Sequence, residues 1–268
     1  MSTTHTLGTA LITGASSGIG ATYADRLAKR GYDLLLVARD QARLETIAAD
    51  LRGKTSVKIE VVKADLTVAS DVSSLEKRLR DDASITLLVN NAGVALSTPL
   101  SEANLGEVDR LIQLNIVALT HLASAGAAAF VARGNGAIVN IASVVPMLPE
   151  RFNAVYTASK AYVLSLTQSL SAEVGEKGVQ IQAVMPGATR TEIWERSGID
   201  IAAFPPEMVM DVNEMVDAAL SGFDQKEQVT IPSLPNAADW QAFVDARLAL
   251  GPNLSLQHAA ARYKTTGA

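Results

Sequence analysis

A tyrosine and a lysine stand four positions apart in the stretch NAVYTASKAYV, which is otherwise suited to a buried helix face. On a helix, positions i and i+4 share a side, so the phenol of Tyr156 and the ammonium of Lys160 can point into one crevice. A nearby cation lowers the pKa of a phenol from about 10 towards the range of a general base, and the protonated phenol can donate to a carbonyl oxygen. The spacing therefore favours proton transfer at an alcohol or carbonyl group.

The surroundings of this pair decide how it is interpreted, because alone it is usually a half-buried aromatic ring beside a solvated charge. Ser143 ends the apolar run VNIAS, where its hydroxyl could hold a substrate oxygen or simply serve a turn. The polar turns NNAG (90–93) and PGATRT (186–191) follow two other apolar runs. Polar turns after successive strands of one sheet indicate a ligand crevice.

A glycine-rich turn between a strand and a helix lies in TALITGASSGIGATYADRLAKRG. Gly14, Gly18 and Gly20 allow positive φ angles and close backbone approach, and the amides at the helix start favour a pyrophosphate. The spacing GxxxGxG differs from the GxGxxG fingerprint, so a turn needed only for packing stays open. The letters also satisfy the GxSxG elbow of α/β-hydrolases, with Ser16 as nucleophile. Only about a dozen residues precede Ser16, and no obvious Asp and His pair completes a triad.

The end of the second predicted strand bears on the choice of dinucleotide. There Arg39 is followed by Asp40. An acidic residue at this place accepts the ribose hydroxyls of NAD, whereas an arginine accommodates the 2′-phosphate of NADP. Asp40 fits the N-cap of the next helix, so NADP(H) is favoured over NAD(H). The alternative is that Arg39 is a solvated charge and Asp40 holds the ribose.

Apolar runs and amphipathic segments alternate along the chain. The runs begin at residues 10, 33, 57, 85, 137 and 179, with another near 228, and the helical segments cover 18–30, 40–53, 68–82, 104–133 and 153–175. This order predicts one α/β domain over residues 1–268, with a Rossmann-like doubly wound parallel sheet of about seven strands and helices on both faces. Loops 144–152 and 192–206 are expected to cover the crevice, and the tail 251–268 to be irregular.

The composition argues against several other classes of site. The 268 residues carry a formal charge of −5 without a basic block, which disfavours nucleic acid or an anionic membrane as partner. Cysteine is absent and His5, His121 and His258 lie far apart, so no disulfide and no metal site is predicted. The N-terminus lacks the pattern of a secretory signal. A small-molecule ligand and a cytoplasmic location are expected.

In their order along the chain, these motifs resemble those of the short-chain dehydrogenases/reductases. The matching motifs, over residues 8 to about 195, are TGASSGIG (13–20), NNAG, Asn115 in LIQLNIVA, Ser143, YTASK (156–160) and PGATRT. The resemblance implies an NADP(H)-dependent oxidoreductase that moves hydride between nicotinamide and a ketone, aldehyde or secondary alcohol. It also implies a catalytic tetrad of Asn115, Ser143, Tyr156 and Lys160.

The same resemblance gives each member of the tetrad a role. Tyr156 would be the acid and base, Ser143 would orient the substrate, Lys160 would bind the nicotinamide ribose and lower the phenol's pKa, and Asn115 would hold a water in a proton relay. The residues expected to bind the cofactor are Gly14, Ser16, Ser17, Gly18, Ile19, Gly20, Arg39, Asp65, Leu66, Asn90, Ala92, Gly93, Tyr156, Lys160, Pro186, Gly187, Thr189 and Thr191. Asp65 would contact adenine, but it is equally suited to capping a helix. Asn115 is equally suited to bending its helix.

The resemblance further implies association through the helices 104–133 and 153–175, as a homodimer or homotetramer, unless their small-residue faces only pack on the sheet. Apolar residues in the two covering loops suggest a hydrophobic substrate. The alternative is that these residues only exclude water. Two other functions stay open. A non-catalytic NADP-binding regulator would not need an intact tetrad, and an epimerase or dehydratase with the same YxxxK helix would generally be longer.

Overall fold

The structure, a computed structural model, describes residues 7–264, so His5 lies outside the described residues. The chain divides into two compact units, Met1–Pro232 and Ser233–Ala268. The first unit contains the whole sheet and every residue of the predicted crevice. That one domain extends over residues 1–268 stays a prediction.

A parallel sheet of seven strands forms the centre of the first unit, in the order β3-β2-β1-β4-β5-β6-β7. The strands are β1 (Thr9–Thr13), β2 (Asp33–Ala38), β3 (Ile59–Lys63), β4 (Ile85–Asn90), β5 (Gly136–Ile141), β6 (Val179–Val184) and β7 (Val229–Thr230). The strand order reverses between β1 and β4, and the loops that follow these two strands border a crevice. The predicted doubly wound sheet is confirmed, with all seven strands close to the predicted positions.

The helices confirm the five predicted segments to within one residue at each end. They are α1 (Gly18–Lys29), α2 (Gln41–Lys54), α3 (Ala69–Asp81), α4 (Leu105–Ile112), α5 (Leu119–Arg133), α6 (Ala154–Val174), α7 (Ile193–Arg196), α8 (Val212–Asp224) and α9 (Ala237–Leu248). A π-helical turn, Gln113–Ala118, joins α4 to α5. Helix α8 was not predicted, although Asp211 caps it by accepting from the amide of Asn213 and its buried face repeats at helical spacing.

Both faces of the sheet are covered, because successive strand residues point to opposite sides. Ile12 and Leu36 belong to a core layer with residues of α1, α2 and α8, whereas Leu11 and Leu35 belong to a layer with residues of α3, α5 and α6. All four side chains are buried. Burial on both faces explains why the strands are continuous apolar runs without alternation.

Among the described residues, one helical stretch, Leu105–Arg133, is long and apolar enough to cross a membrane by length and composition. Half of its most apolar window is buried inside the protein. The stretch packs closely against strands β4 and β5 at Gly126, where an added Cβ would lie 3.2 Å from Leu88 and 3.5 Å from Ile138. This is the packing of a core helix.

The second unit consists of α9 and short 3₁₀ turns at Gly251–Asn253 and Ala261–Tyr263. No residue of α9 is buried in the described structure. Trp240 and Phe243 stack on its surface with ring centroids 5.2 Å apart.

Candidate active site

Helix α6 carries the tyrosine and the lysine, and its first turn is fixed by a cap. The side chain of Asn153 accepts a hydrogen bond of 3.0 Å from the amide of Tyr156, and its amide group donates to the carbonyl of Thr98 at 2.6 Å. The cap therefore also ties the helix start to the loop after β4. One turn further on, Lys160 is buried and its Nζ lies 5.9 Å from the centroid of the Tyr156 ring.

The ammonium of Lys160 is directed at the sheet. Its Nζ donates to the carbonyl oxygen of Ile141, the last residue of β5, at 2.8 Å. Burial lowers the pKa of Lys160 to about 8, because the charged form loses hydration. At neutral pH this lysine is still mostly a cation, held at the carboxyl edge of the sheet.

The pKa of Tyr156 is raised above its ordinary value, whereas the sequence predicted that it would be lowered. Burial raises it to about 12, and a hydrogen bond with Ser143 acts in the opposite direction without overcoming burial. The phenolate loses more stabilisation by leaving water than the hydrogen bond with Ser143 returns. The phenol of Tyr156 is therefore protonated over the neutral range, as a proton donor must be.

Ser143 lies two residues beyond the end of β5, and its position is set by the turn after β6. Its Oγ accepts from the amide of Val145 at 3.3 Å and donates over 3.4 Å to the carbonyl of Pro186. The residue is buried. Ser143 and Tyr156 thus belong to one hydrogen-bonded group beside the PGATRT turn.

Asn115 lies in the π-helical turn, a feature that often marks functional positions in helices. Its side chain accepts from the amide of Val94 at 2.9 Å and donates to the carbonyl of Val94 at 2.9 Å. It also donates to Ser159 Oγ at 3.2 Å. These contacts join the loop after β4 to α6, which agrees with the predicted break in helix regularity. The water-holding role of Asn115 stays a prediction.

Gly93 is the point at which these groups meet. A Cβ atom at Gly93 would lie 3.2 Å from Asn115 Oδ1 and 3.7 Å from Lys160 Nζ. The NNAG turn thus passes directly beside two of the four predicted catalytic residues, and Ser143 contacts a third. The structure brings all four to the same edge of the sheet.

The glycine-rich loop leaves no room for a side chain at Gly14 or Gly20. Gly14 and Gly18 have φ angles of 67° and 53°. A Cβ at Gly20 would lie 2.4 Å from the carbonyl oxygen of Gly14, and one at Gly14 would lie 2.8 Å from Asn91 Nδ2. Only glycine allows the loop and α1 to pack this closely.

The start of α1 suits an anion. Ser17 is its N-cap but makes no side-chain cap hydrogen bond, and no acidic residue lies in the first turn. The amides there are left for a ligand, and the helix dipole favours negative charge. Asn90 adds a second fitting feature, since its buried Oδ1 has no hydrogen-bond partner among the described residues. The residues present therefore fit a dinucleotide with its pyrophosphate at α1.

Thr13 and Asn91 join the loops after β1 and β4. They belong to the motifs TGASSGIG and NNAG but were not among the predicted site residues. Thr13 Oγ1 accepts from the amides of Asn91 and Ala92, each at 3.0 Å. Asn91 Nδ2 donates to the carbonyl of Thr13 at 2.9 Å. These bonds hold the loops after β1 and β4 together.

At the end of β2, the predicted N-cap is confirmed, because Asp40 accepts from the amide of Arg43 at 3.0 Å. Arg39 is exposed. Asp65 accepts from the amide and hydroxyl of Thr67 at 2.9 Å and 2.7 Å, so it closes a turn. Burial alone would raise the pKa of Asp65, but the Thr67 hydrogen bonds and the charge of Arg39 hold it below its usual range. Arg39 and Asp65 therefore lie near one another, just beyond the paired ends of β2 and β3.

The two loops predicted to cover the crevice are attached to this edge. Loop 144–152 forms 3₁₀ turns at Val145–Met147 and Pro149–Arg151. In loop 192–206, the Trp194 ring packs 5.2 Å from that of Phe204. Trp194 Nε1 donates to the carbonyl of Thr189 at 2.6 Å. The indole thus anchors this loop on the PGATRT turn.

The remaining predicted residues occupy the same edge. Thr191 lies against the glycine loop, because a Cβ at Gly18 would approach its side chain to 3.2 Å. At Gly187, a Cβ would have no described atom within 4 Å, so this side of the turn is open. Leu66 is buried behind the turn of Asp65.

Comparison with known proteins assigns the chain to a family. The family described as short chain dehydrogenase matches residues 8–201. An oxidoreductase of Staphylococcus epidermidis is 34% identical over 223 residues, which cover 83% of this chain and 93% of the relative.

Two solved structures are similar over nearly the whole chain. A short-chain dehydrogenase from Sphingobium yanoikuyae in complex with NADPH is 53% identical, with a TM-score of 0.93, and the match covers 96% of this chain and 100% of that one. A bulky-bulky ketone specific alcohol dehydrogenase from Comamonas testosteroni is 51% identical, with a TM-score of 0.89, covering 96% and 98%. With the fold, the crevice and these matches in agreement, the chain belongs to the short-chain dehydrogenase family and is an NAD(P)-dependent oxidoreductase.

Proposed function

We propose that the chain is an NADPH-dependent carbonyl reductase that acts on bulky apolar ketones and the corresponding secondary alcohols. The observation that carries this proposal is the group of Ser143, Tyr156 and Lys160 beside a glycine cradle, in which Ser143 and Lys160 are buried and Tyr156 is half-buried. Aldehydes belong to the same reaction type.

In the reduction direction, the phenol of Tyr156 donates a proton to the carbonyl oxygen of the substrate. A pKa of about 12 keeps this proton in place at neutral pH. The hydroxyl of Ser143 holds the same oxygen, and the charge of Lys160 favours the phenolate that forms. NADPH, when bound, supplies the hydride to the carbonyl carbon.

The preference for NADPH rests on Arg39. It is exposed at the end of β2 beside Asp65, while Asp40 is engaged in capping α2. An arginine there suits a 2′-phosphate. The similar Sphingobium protein is in complex with NADPH, which supports the proposal.

The substrate class rests on the covering loops. Trp194 and Phe204 present aromatic surface, and Leu148 and Phe152 are 47% and 40% exposed. Apolar side chains exposed around a catalytic crevice suit a large apolar ligand. The similar Comamonas protein is named for bulky-bulky ketones, which agrees with this class.

Helices α5 and α6 carry the proposed subunit contact. Between them runs a groove of about 360 Å³, and small residues such as Ala123, Ser124 and Ala127 line it with Leu166 and Leu170. Small side chains let helices of a second copy approach closely. We infer a homodimer or homotetramer of this chain, and its cytoplasmic location stays a prediction.

The test compares Tyr156→Phe with Tyr162→Phe. Both changes remove a phenol hydroxyl from α6, but that of Tyr162 contacts Thr120 at 2.9 Å on the groove side. With NADPH and a panel of carbonyl compounds, we expect Tyr156→Phe to lose about 1,000-fold in kcat and Tyr162→Phe to keep wild-type turnover. Equal rates for Tyr156→Phe and wild type would reject the mechanism. NADPH binding without turnover of any carbonyl would favour the non-catalytic regulator.

A further inference from the structure

A chain of hydrogen bonds between side chains crosses the interior from α6 to β4, outside the predicted catalytic residues. Thr167 on α6 accepts from Asn140 Nδ2 at 3.0 Å, and Asn140 on β5 accepts from Asn90 Nδ2 at 3.0 Å. All three residues are buried, and none exposes more than 3% of its surface. Buried polar groups of this kind are costly unless they are satisfied, so their bonds define positions sharply.

Thr167, at the α6 end of this series of hydrogen bonds, determines which group donates and which accepts in each bond. Thr167 Oγ1 lies 2.6 Å from the carbonyl oxygen of Val163, which can only accept, so the hydroxyl must donate there. It then accepts from the amide group of Asn140, whose carbonyl oxygen accepts from Asn90. The Oδ1 of Asn90, the last residue of β4, is consequently the acceptor left without a partner among the described residues.

Helix α6 is fixed to β5 at two consecutive strand residues. Lys160 Nζ donates to the carbonyl of Ile141, and Thr167 is bound by the side chain of Asn140. The two anchor points lie about two turns apart on α6, since Lys160 and Thr167 are separated by seven residues. Without the second anchor, the helix could slide or rotate along the strand, and the ammonium and phenol would move with it.

We propose that Thr167 and Asn140 are positioning residues for the reaction, holding α6 in the register on β5 that places Lys160 and Tyr156. The proposal rests on the proposed function for the role of these two groups. A displacement of about 1 Å at reacting groups can reduce turnover by roughly 100-fold, although neither positioning residue touches the substrate.

The experiment compares Thr167→Val, Thr167→Ser and Thr157→Val. Valine has the shape of threonine but cannot bond to Asn140, whereas serine retains the hydroxyl. Thr157 is a matched control, because it is buried on the same helix and its hydroxyl has no partner among the described residues. We expect kcat with NADPH to fall roughly 10-fold or more in Thr167→Val only, with KM for NADPH within about twofold.

A second measurement needs no turnover. The ammonium of Lys160 is titrated by NMR in protein with ¹³C-labelled lysine side chains, its resonance being assigned by its loss in Lys160→Arg. We expect its apparent pKa in Thr167→Val to differ from wild type by at least about 0.5, and Thr157→Val and Thr167→Ser to match wild type. Thr167→Cys keeps the side-chain size and a weak donor, so it replaces Thr167→Val if that protein does not fold.

The proposal would be overturned if Thr167→Val were less stable than wild type but kept the wild-type kcat, pH profile and Lys160 titration. A bond with a purely structural role would behave in this way. If wild type reduced no carbonyl compound, the proposed function would fail, while the Lys160 titration would still report whether Thr167 positions the helix.

Discussion

The two banks of the crevice are built by different means. On the bank that faces the predicted cofactor, the site is formed by the backbone at three glycines, where no side chain fills the space: Gly14, Gly18 and Gly20. On the opposite bank, buried side chains of α6 and β5 are held by directed hydrogen bonds. The first bank is therefore sensitive to added atoms, and the second to lost hydrogen bonds and to charge. Substitutions on the two banks should separate binding from chemistry.

Among the effects on cofactor binding, the largest is expected from Gly20→Ala. The added Cβ would lie 2.4 Å from the carbonyl oxygen of Gly14 and 2.5 Å from Asn91 Nδ2, and the backbone atom cannot move without opening the loop. We expect the Kd for NADPH, measured by nucleotide fluorescence, to rise more than about 100-fold, equivalent to about 3 kcal/mol. Gly53→Ala is the control, since nothing lies within 4 Å of its Cβ on α2. Similar affinities of both variants for NADPH would mean that the lack of space at Gly20 does not control cofactor binding.

The second prediction concerns charge on the other bank. The pKa of Lys160 is about 8 in the folded protein and 10.5 ordinarily. Between these values the unfolded chain retains a proton that the folded protein has lost, so the free energy of unfolding rises with pH, by about 3 kcal/mol in all. Urea unfolding from pH 7.5 to 9.5 should show this slope in wild type and lose it in Lys160→Met. Above pH 10 the raised pKa of Tyr156 acts with the opposite sign.

The control for this slope is Lys58→Met, which removes an exposed ammonium. It should leave the pH dependence of unfolding unchanged. If Lys160→Met and wild type had the same slope, the buried ammonium would not be desolvated as the structure indicates.

The third prediction tests Thr13, which joins the glycine loop to the loop after β4. Thr13→Val removes the acceptor for the amides of Asn91 and Ala92, and leaving buried donors unsatisfied costs about 2 kcal/mol. Urea unfolding should show this loss, and the Kd for NADPH should rise because both loops are released. Thr46→Val, on the exposed side of α2, should stay within about 0.5 kcal/mol of wild type. Unchanged stability in Thr13→Val would show that these two loops are held together by other contacts.

The smallest effect is expected from Arg39→Ala, which leaves both banks intact. Loss of one charged contact to a 2′-phosphate should raise the Kd for NADPH about 10-fold, or roughly 1.4 kcal/mol, and leave the Kd for NADH nearly unchanged. NADH serves as the control ligand in the same titration. An equal change for both nucleotides would remove the basis for NADPH preference.

The sequence predicted the sheet well because strands buried on both faces are continuous apolar runs, and runs of this kind are visible without tertiary information. It also predicted the cap at Asp40, which depends only on local chemistry. The tetrad and cofactor residues came from the ordered motifs, and their proximity follows from the parallel topology.

Other features depend on contacts that sequence spacing does not display. Thr13 and Asn91 are separated by 78 positions, and nothing in either residue type indicates their bond. The direction of the Tyr156 pKa depends on whether burial or the nearby cation dominates, and burial dominates here. Asn140 gave a weak signal, as a polar residue inside an apolar strand, but its partners on α6 and β4 could not be read from the chain.

The wide turn at Gln113–Ala118 sets the rotation between α4 and α5. Because an α-helix advances by about 100° per residue, shortening this turn by a single residue would rotate everything after it by that angle relative to α4. The face of α5 that fits the sheet would then point sideways whenever Asn115 kept its hydrogen bonds to Val94. A one-residue deletion is harmless in many solvent-facing loops. Here it should disrupt either the packing of α5 on the sheet or the assembly of the catalytic crevice.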